Sequence, residues 1–141
     1  MRVLQCKQVV QSFFAEIGGY EGHTESRALR YNNRTYHIRP DDAYIFPDRI
    51  VCVEYEALKK PVESIGKYWW LFRRTDWLDE ALEMHCFLFI LNKKTGQVQG
   101  ESSVILGEEL SRVYPDAFHF RCLLPGEVSA ERIRYLLDGT F

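Results

Sequence analysis

Residues 84 to 92, MHCFLFILN, form a continuous apolar run of strand length. A strand with one face in water alternates apolar and polar residues, so an unbroken run marks a strand covered on both faces. The KKTG that follows ends it. A chain built around such a strand needs helices to cover it, and helical spacing appears on either side. Val3, Val10, Phe13, Phe14 and Ile17 share one stripe, which predicts a helix over 3–17 stopped by Gly18-Gly19. PVESIGKYWWLFRR opens on Pro61, tolerated in a first helical turn, and keeps Val62, Ile65, Trp69 and Phe72 on one side. Residues 102–114 read as helix and 117–124 as strand, and SAERIRYLLD is a last helix capped by Ser129.

The remaining β-structure lies between the first two helices. Asn32-Asn33 separates β-forming residues and tolerates the left-handed conformations of a tight hairpin, which predicts strands near 26–31 and 34–39. The second of these is expected to run on to residue 46. Pro47-Asp48 then suits the centre of a turn, and RIVCVEYE returns as a third strand. The order is αβββαβαβα, an α/β (α+β) arrangement with a mixed sheet flanked by helices. No internal repeat or long linker interrupts it, so residues 1–141 read as a single domain.

At 141 residues, 46% of them hydrophobic, the chain has the apolar content of one domain with a real core, which excludes disorder. The net charge is −2, which does not advertise a polyanion partner. The first 75 residues nevertheless hold 12 Lys+Arg against 9 Asp+Glu, and the rest hold 6 against 11. Cys6, Cys52, Cys86 and Cys122 form no Cys-x-x-Cys pair, and three sit in apolar runs, as buried thiols of a reducing compartment do. The four histidines show no metal-ligand spacing, so zinc is not expected. CFLFIL is too short to cross a membrane and no leader pattern opens the chain, which together predict a cytoplasmic protein.

The hairpin around Pro47-Asp48 is rich in acids. If those two residues are central, each cross-strand pair sums to 95, which sets Asp41 opposite Glu54 and Asp42 opposite Val53. Asp41, Glu54 and Glu56 then share a face, and Asp42 belongs to the other. Three carboxylates on one face repel unless a cation lies among them. A divalent ion with oxygen ligands is one remedy, and a solvated edge beside Arg39 and Lys59 is the other.

The pair Pro40-Asp41, the Glu54-Tyr55-Glu56 that follows at a strand end, and the order αβββαβ resemble the PD-(D/E)XK, or restriction-endonuclease-like, nuclease superfamily. RPDDAYIF and VCVEYEALKKPVESIGKYWW are similar in motif to the plasmid replication-relaxation proteins. The resemblance implies a DNA phosphodiester hydrolase in which Asp41 and Glu54 bind Mg²⁺, with Mn²⁺ as a substitute. Glu56 stands where the superfamily's usual pattern has lysine, and would complete the acidic cluster. Glu16, at the rim of the first helix's apolar face, would match the acid that many members place there. Lys67 would serve as a displaced catalytic cation, because the helix after this strand packs beside the site in such folds. Arg39, Lys59, Lys60, Arg73 and Arg74 would contact backbone phosphates. Trp69 fits the buried helix face, and Trp70, off that stripe, suits base stacking or a homodimer contact. The rival expectation is a nuclease fold without cleavage, a DNA-binding or protein-interaction module in replication or mobile-element function.

Overall fold

The first helix ends as its two glycines predict. In the computed structural model, which describes residues 3–23, 26–56, 61–91 and 96–138 (backbone alone for 61–63, 96–101 and 125), α1 spans Val3–Glu16. Gly18, at φ 90°, donates to the carbonyl of Ala15, and Gly19 donates to that of Phe14, the paired bonds of a Schellman stop. The chain continues through β1 (Tyr20–Glu21), β2 (Leu29–Tyr31), β3 (Arg34–Tyr36), β4 (Asp42–Ile45) and β5 (Arg49–Glu56). Then come α2 (Pro61–Arg74), a short 3-10 turn at Trp77–Glu80, β6 (Glu83–Ile90), α3 (Gly96–Val113), β7 (Phe118–Leu123) and α4 (Ala130–Asp138). Ser129 caps α4, its Oγ accepting from the Arg132 N–H at 3.1 Å.

The main sheet has the order β1-β4-β5-β6-β7. β1, β4 and β5 pair antiparallel, and β5, β6 and β7 run parallel, so the sheet is mixed and flanked by helices. The apolar run MHCFLFILN supplies β6 at the centre of the parallel part, and every residue from Met84 to Ile90 is buried. Its alternate residues serve two cores. Met84, Cys86 and Leu88 join Ile50 and Cys52 of β5 against Ile65, Tyr68 and Leu71 of α2 and Leu110 of α3. Phe87 and Phe89 join Val51 and Val53 against Val10, Phe13 and Phe14 of α1 and Ile133 and Leu137 of α4. Each such side chain contributes about 1.5–3 kcal/mol on burial.

The expected hairpin around Asn32-Asn33 is present, with both residues left-handed at φ 55° and 60°. It forms a separate two-stranded sheet, however. Tyr31 and Tyr36 meet the Trp77 ring edge-on at 5.9 and 5.0 Å, and Arg34 pairs with Asp76 at 2.5 Å. The strand expected to run unbroken from 34 to 46 divides into β3 and β4. Ile38 donates to the carbonyl of Tyr36 at 2.8 Å, a three-residue turn, and Pro40 has no N–H to extend a ladder. Among the described residues, no helix is long and apolar enough to cross a membrane.

Candidate functional site

The β4–β5 register is the one the turn residues predict. Asp42 pairs with Val53, Ala43 with Cys52, Tyr44 with Val51 and Ile45 with Ile50, and the Phe46 N–H closes the turn on the Arg49 carbonyl at 2.9 Å. Two adjacent aspartates are thereby separated. Asp42 faces α1, where its Oδ2 accepts from the Tyr55 hydroxyl at 2.8 Å and from Gln11. Asp41 lies just before β4, and its Oδ2 accepts from the Tyr55 backbone N–H at 2.7 Å. Arg27 donates to the Asp41 carbonyl.

Glu54 is on the opposite face of β5 from Tyr55, beneath α2, and is 2% exposed. Its Oε1 accepts from Lys67 Nζ at 2.7 Å and its Oε2 from the Tyr68 hydroxyl at 2.5 Å. Burial pushes its carboxyl up to about 8, against the pull of Lys67 and with a further push from Asp41. Lys67 also donates to the Arg39 carbonyl at 2.9 Å, tying α2 to the segment that carries Asp41. Arg39 thus reaches the centre through its backbone, while its side chain is exposed. The chain between β3 and β4, residues 37–41, is not strand, so Arg39 and Asp41 do not lie on one continuous strand face.

Glu56 and Glu16 stand differently from the expectation. Glu56 shares the face of Glu54, but its Oε1 accepts from Ser103 of α3 at 3.4 Å. It is 6% exposed, and burial pushes its carboxyl up to about 6. It is sealed between sheet and helix instead of opening toward Asp41. Among the described residues its Oε2 has no hydrogen-bond partner. Glu16 is exposed at the carboxyl end of α1. That helix packs on the Val51 and Val53 face, so Glu16 does not join the acids. The α1 residues near the acidic end of β5 are Gln11, bonded to Asp42, and Lys7, 5.3 Å from the centre of the Tyr55 ring.

Trp69, Trp70, Arg73 and Arg74 line a surface recess on α2. Trp69 is half-buried and donates from Nε1 to the Leu106 carbonyl at 3.0 Å, and Arg73 lies 5.9 Å from its ring centre. Trp70 is 44% exposed. At a helical rise of 1.5 Å per residue, the two arginines sit about 9–10 Å along the axis from Lys67. Lys59 and Lys60 lie outside the described residues.

The acid centre offers oxygen donors only, the set a hard cation such as Mg²⁺ takes. Burial is the main reason the Glu54 carboxyl is raised, and Asp41 adds to it, so two acids act on each other across this centre. Cys52 and Cys86, buried beside Tyr68, are not nucleophiles there, since burial pushes the Cys52 thiol up to about 12.

A second cluster was not foreseen. Glu83 and His85 of β6 and His119 of β7 each place one potential ligand atom within 4.8 Å of the others. His85 pairs with His119 in the parallel register, so residues 34 apart in sequence become neighbours. The sequence signal was an apolar-His-apolar triplet in each strand, MHC and FHF. Burial, with the charges of His119, Arg49 and Arg121, holds His85 down to about 3, so its ring is neutral near pH 7.

No family model, no curated protein and no solved structure matches this chain.

Proposed function

We propose that the chain is a metal-dependent nuclease that hydrolyses DNA phosphodiester bonds at the Asp41–Glu54–Lys67 centre. The observation that carries this reading is a buried strand carboxylate, Glu54, held by a lysine that also grips the segment bearing Asp41. Asp41 and Glu54 would hold Mg²⁺, or Mn²⁺ in its place. The ion, when bound, supplies charge neutralisation at the phosphodiester.

The chain's own residues do the rest. Tyr55 N–H fixes the Asp41 carboxylate, and Tyr68 orients Glu54. Lys67 Nζ, 21% exposed as a side chain, is bonded to Glu54 in the resting site and would donate to an incoming phosphate. Arg73 and Arg74 seat the nucleic-acid backbone, and Trp70 offers a ring for a base. Symmetric cutting of both strands would call for two copies of the chain.

A second reading has its own support. Both Glu54 oxygens already have donors, and Glu56 is turned to Ser103, which suits a nuclease fold that binds DNA or a protein without cutting. Incubation with linear, supercoiled and branched DNA in Mg²⁺ or Mn²⁺, beside Asp41→Ala, separates the two. The nuclease reading expects cleavage that Asp41→Ala abolishes. Cleavage that survives the substitution overturns the site, and DNA binding with no cleavage by the wild type favours the module.

A further inference from the structure

We propose that Glu83, His85 and His119 form a zinc-binding site that staples the amino-terminal ends of β6 and β7. His119 Nε2 lies 2.8 Å and His85 Nε2 3.6 Å from Glu83 Oε1, and the two rings stack at 4.6 Å with an interplanar angle of 27°. Tetrahedral zinc holds nitrogen and oxygen at about 2.0–2.2 Å, which puts its ligand atoms about 3.3–3.6 Å apart. The three ligand atoms already lie within 4.8 Å of one another, and closing on one ion takes small shifts together with rotation of the stacked rings, whose lone pairs lie in the ring planes.

A separate observation points to a missing ligand. His85 is 5% exposed, and among the described residues neither of its ring nitrogens has a hydrogen-bond partner. Buried polar atoms are nearly always satisfied, so an unpartnered imidazole facing a carboxylate and a second imidazole calls for something between them. Two imidazoles and one carboxylate select a borderline transition ion over Mg²⁺ or Ca²⁺, and three protein ligands leave a fourth position for water. Glu83 is 46% exposed as a side chain, which opens a path from solvent.

Two guanidinium groups share this face of the sheet, but both are engaged elsewhere. Arg49 is held by Asp48, Asp138 and the Leu137 carbonyl, and Arg121 by the carbonyls of Leu136 and Phe120. The cluster is also remote from the acid centre. Glu83 pairs with Arg49, five residues before Glu54 on β5, or about 16 Å along the strand, and the histidines point to the opposite face. The site is therefore distinct from the centre that would hold Mg²⁺.

The test is a calorimetric titration of the chelator-stripped full chain with Zn²⁺, in the Asp41→Ala background so that the acid centre does not compete. The same titration with Co²⁺ is followed by visible absorption, which reports tetrahedral nitrogen and oxygen ligands. The expected result is one ion per chain, a thermal midpoint raised by Zn²⁺, and an affinity at least about tenfold weaker in His119→Ala and in Glu83→Gln. Those two side chains are partly exposed, so both variants are expected to fold. No binding, or binding that neither substitution weakens, overturns the proposal. DNA cleavage does not enter this result, so it stands or falls apart from the nuclease reading.

Discussion

Lys67 Nζ sits 2.7 Å from Glu54 Oε1, so the charge of a buried strand acid is met by a cation from the helix that follows. The same amine holds the Arg39 carbonyl. One side chain therefore joins α2, β5 and the segment that leads into β4.

Removing that amine leaves Glu54 buried without a cation. Lys67→Met is expected to destabilise the chain by about 1–3 kcal/mol above pH 8, where Glu54 is ionised, and by much less near pH 6, where it keeps a proton. Urea unfolding at the two pH values checks this. A cost that does not change with pH would mean that Lys67 does not compensate Glu54.

Glu54 also sets a pH dependence of its own. Below about 4.5 it carries a proton in both the folded and the unfolded chain, and between about 4.5 and 8 only the folded chain keeps it. Its contribution to stability is full below that window, lost as pH rises through it, and flat above it. Glu54→Gln should remove this component, worth a few kcal/mol at most, from a stability profile measured by urea at several pH values.

Two helical glycines should respond in opposite senses to alanine. A methyl at Gly66 on α2 meets nothing within 4 Å among the described residues, so Gly66→Ala should stabilise by about 0.5–1 kcal/mol through helix propensity. A methyl at Gly107 on α3 would fall 2.3 Å from Cδ1 of Phe120 on β7, with two more ring atoms inside 2.7 Å. Gly107→Ala should cost about 2 kcal/mol or more despite the same propensity gain, and Phe120→Leu should recover part of it. Thermal midpoints of the two variants decide the matter.

If the α2 recess seats nucleic acid, Arg73→Ala and Arg74→Ala should each weaken binding to all sequences alike. Each should also flatten the slope of log affinity against log salt by about 1. Trp70→Ala should weaken binding to single strands by about 1–3 kcal/mol, with less effect on duplex. Fluorescence anisotropy over a salt series measures both. An unchanged salt slope would remove these arginines from the interface.

The legible parts of this fold are those set by local chemistry. Asn32-Asn33 supplies the positive φ of its turn, Gly18-Gly19 stops α1, and Pro47-Asp48 fixes a register that separates Asp41 from Asp42. What sequence could not reveal depends on which side of the sheet a helix takes. Glu16 has the right spacing on α1, but only tertiary packing puts that helix on the face away from Glu54. Glu56 is turned away by Ser103, 47 residues further along. The pairing of His85 with His119 needs the parallel register of two strands joined through α3, which no spacing rule along one strand contains. The break at Pro40 was readable in principle, because a missing N–H interrupts any ladder.

The layer built by α1 and α4 has a consequence for how the chain reaches this state. Cys6, Val10 and Phe14 share their core with Ile133 and Leu137, so the aromatic side of β6 is roofed by helices from opposite ends of the described chain. During synthesis α1 is available to cover part of Phe87 and Phe89 as soon as they are made, but the rest of that face waits for α4. Closure over such long sequence separation is slow, and the interval before it is when aggregation competes with folding.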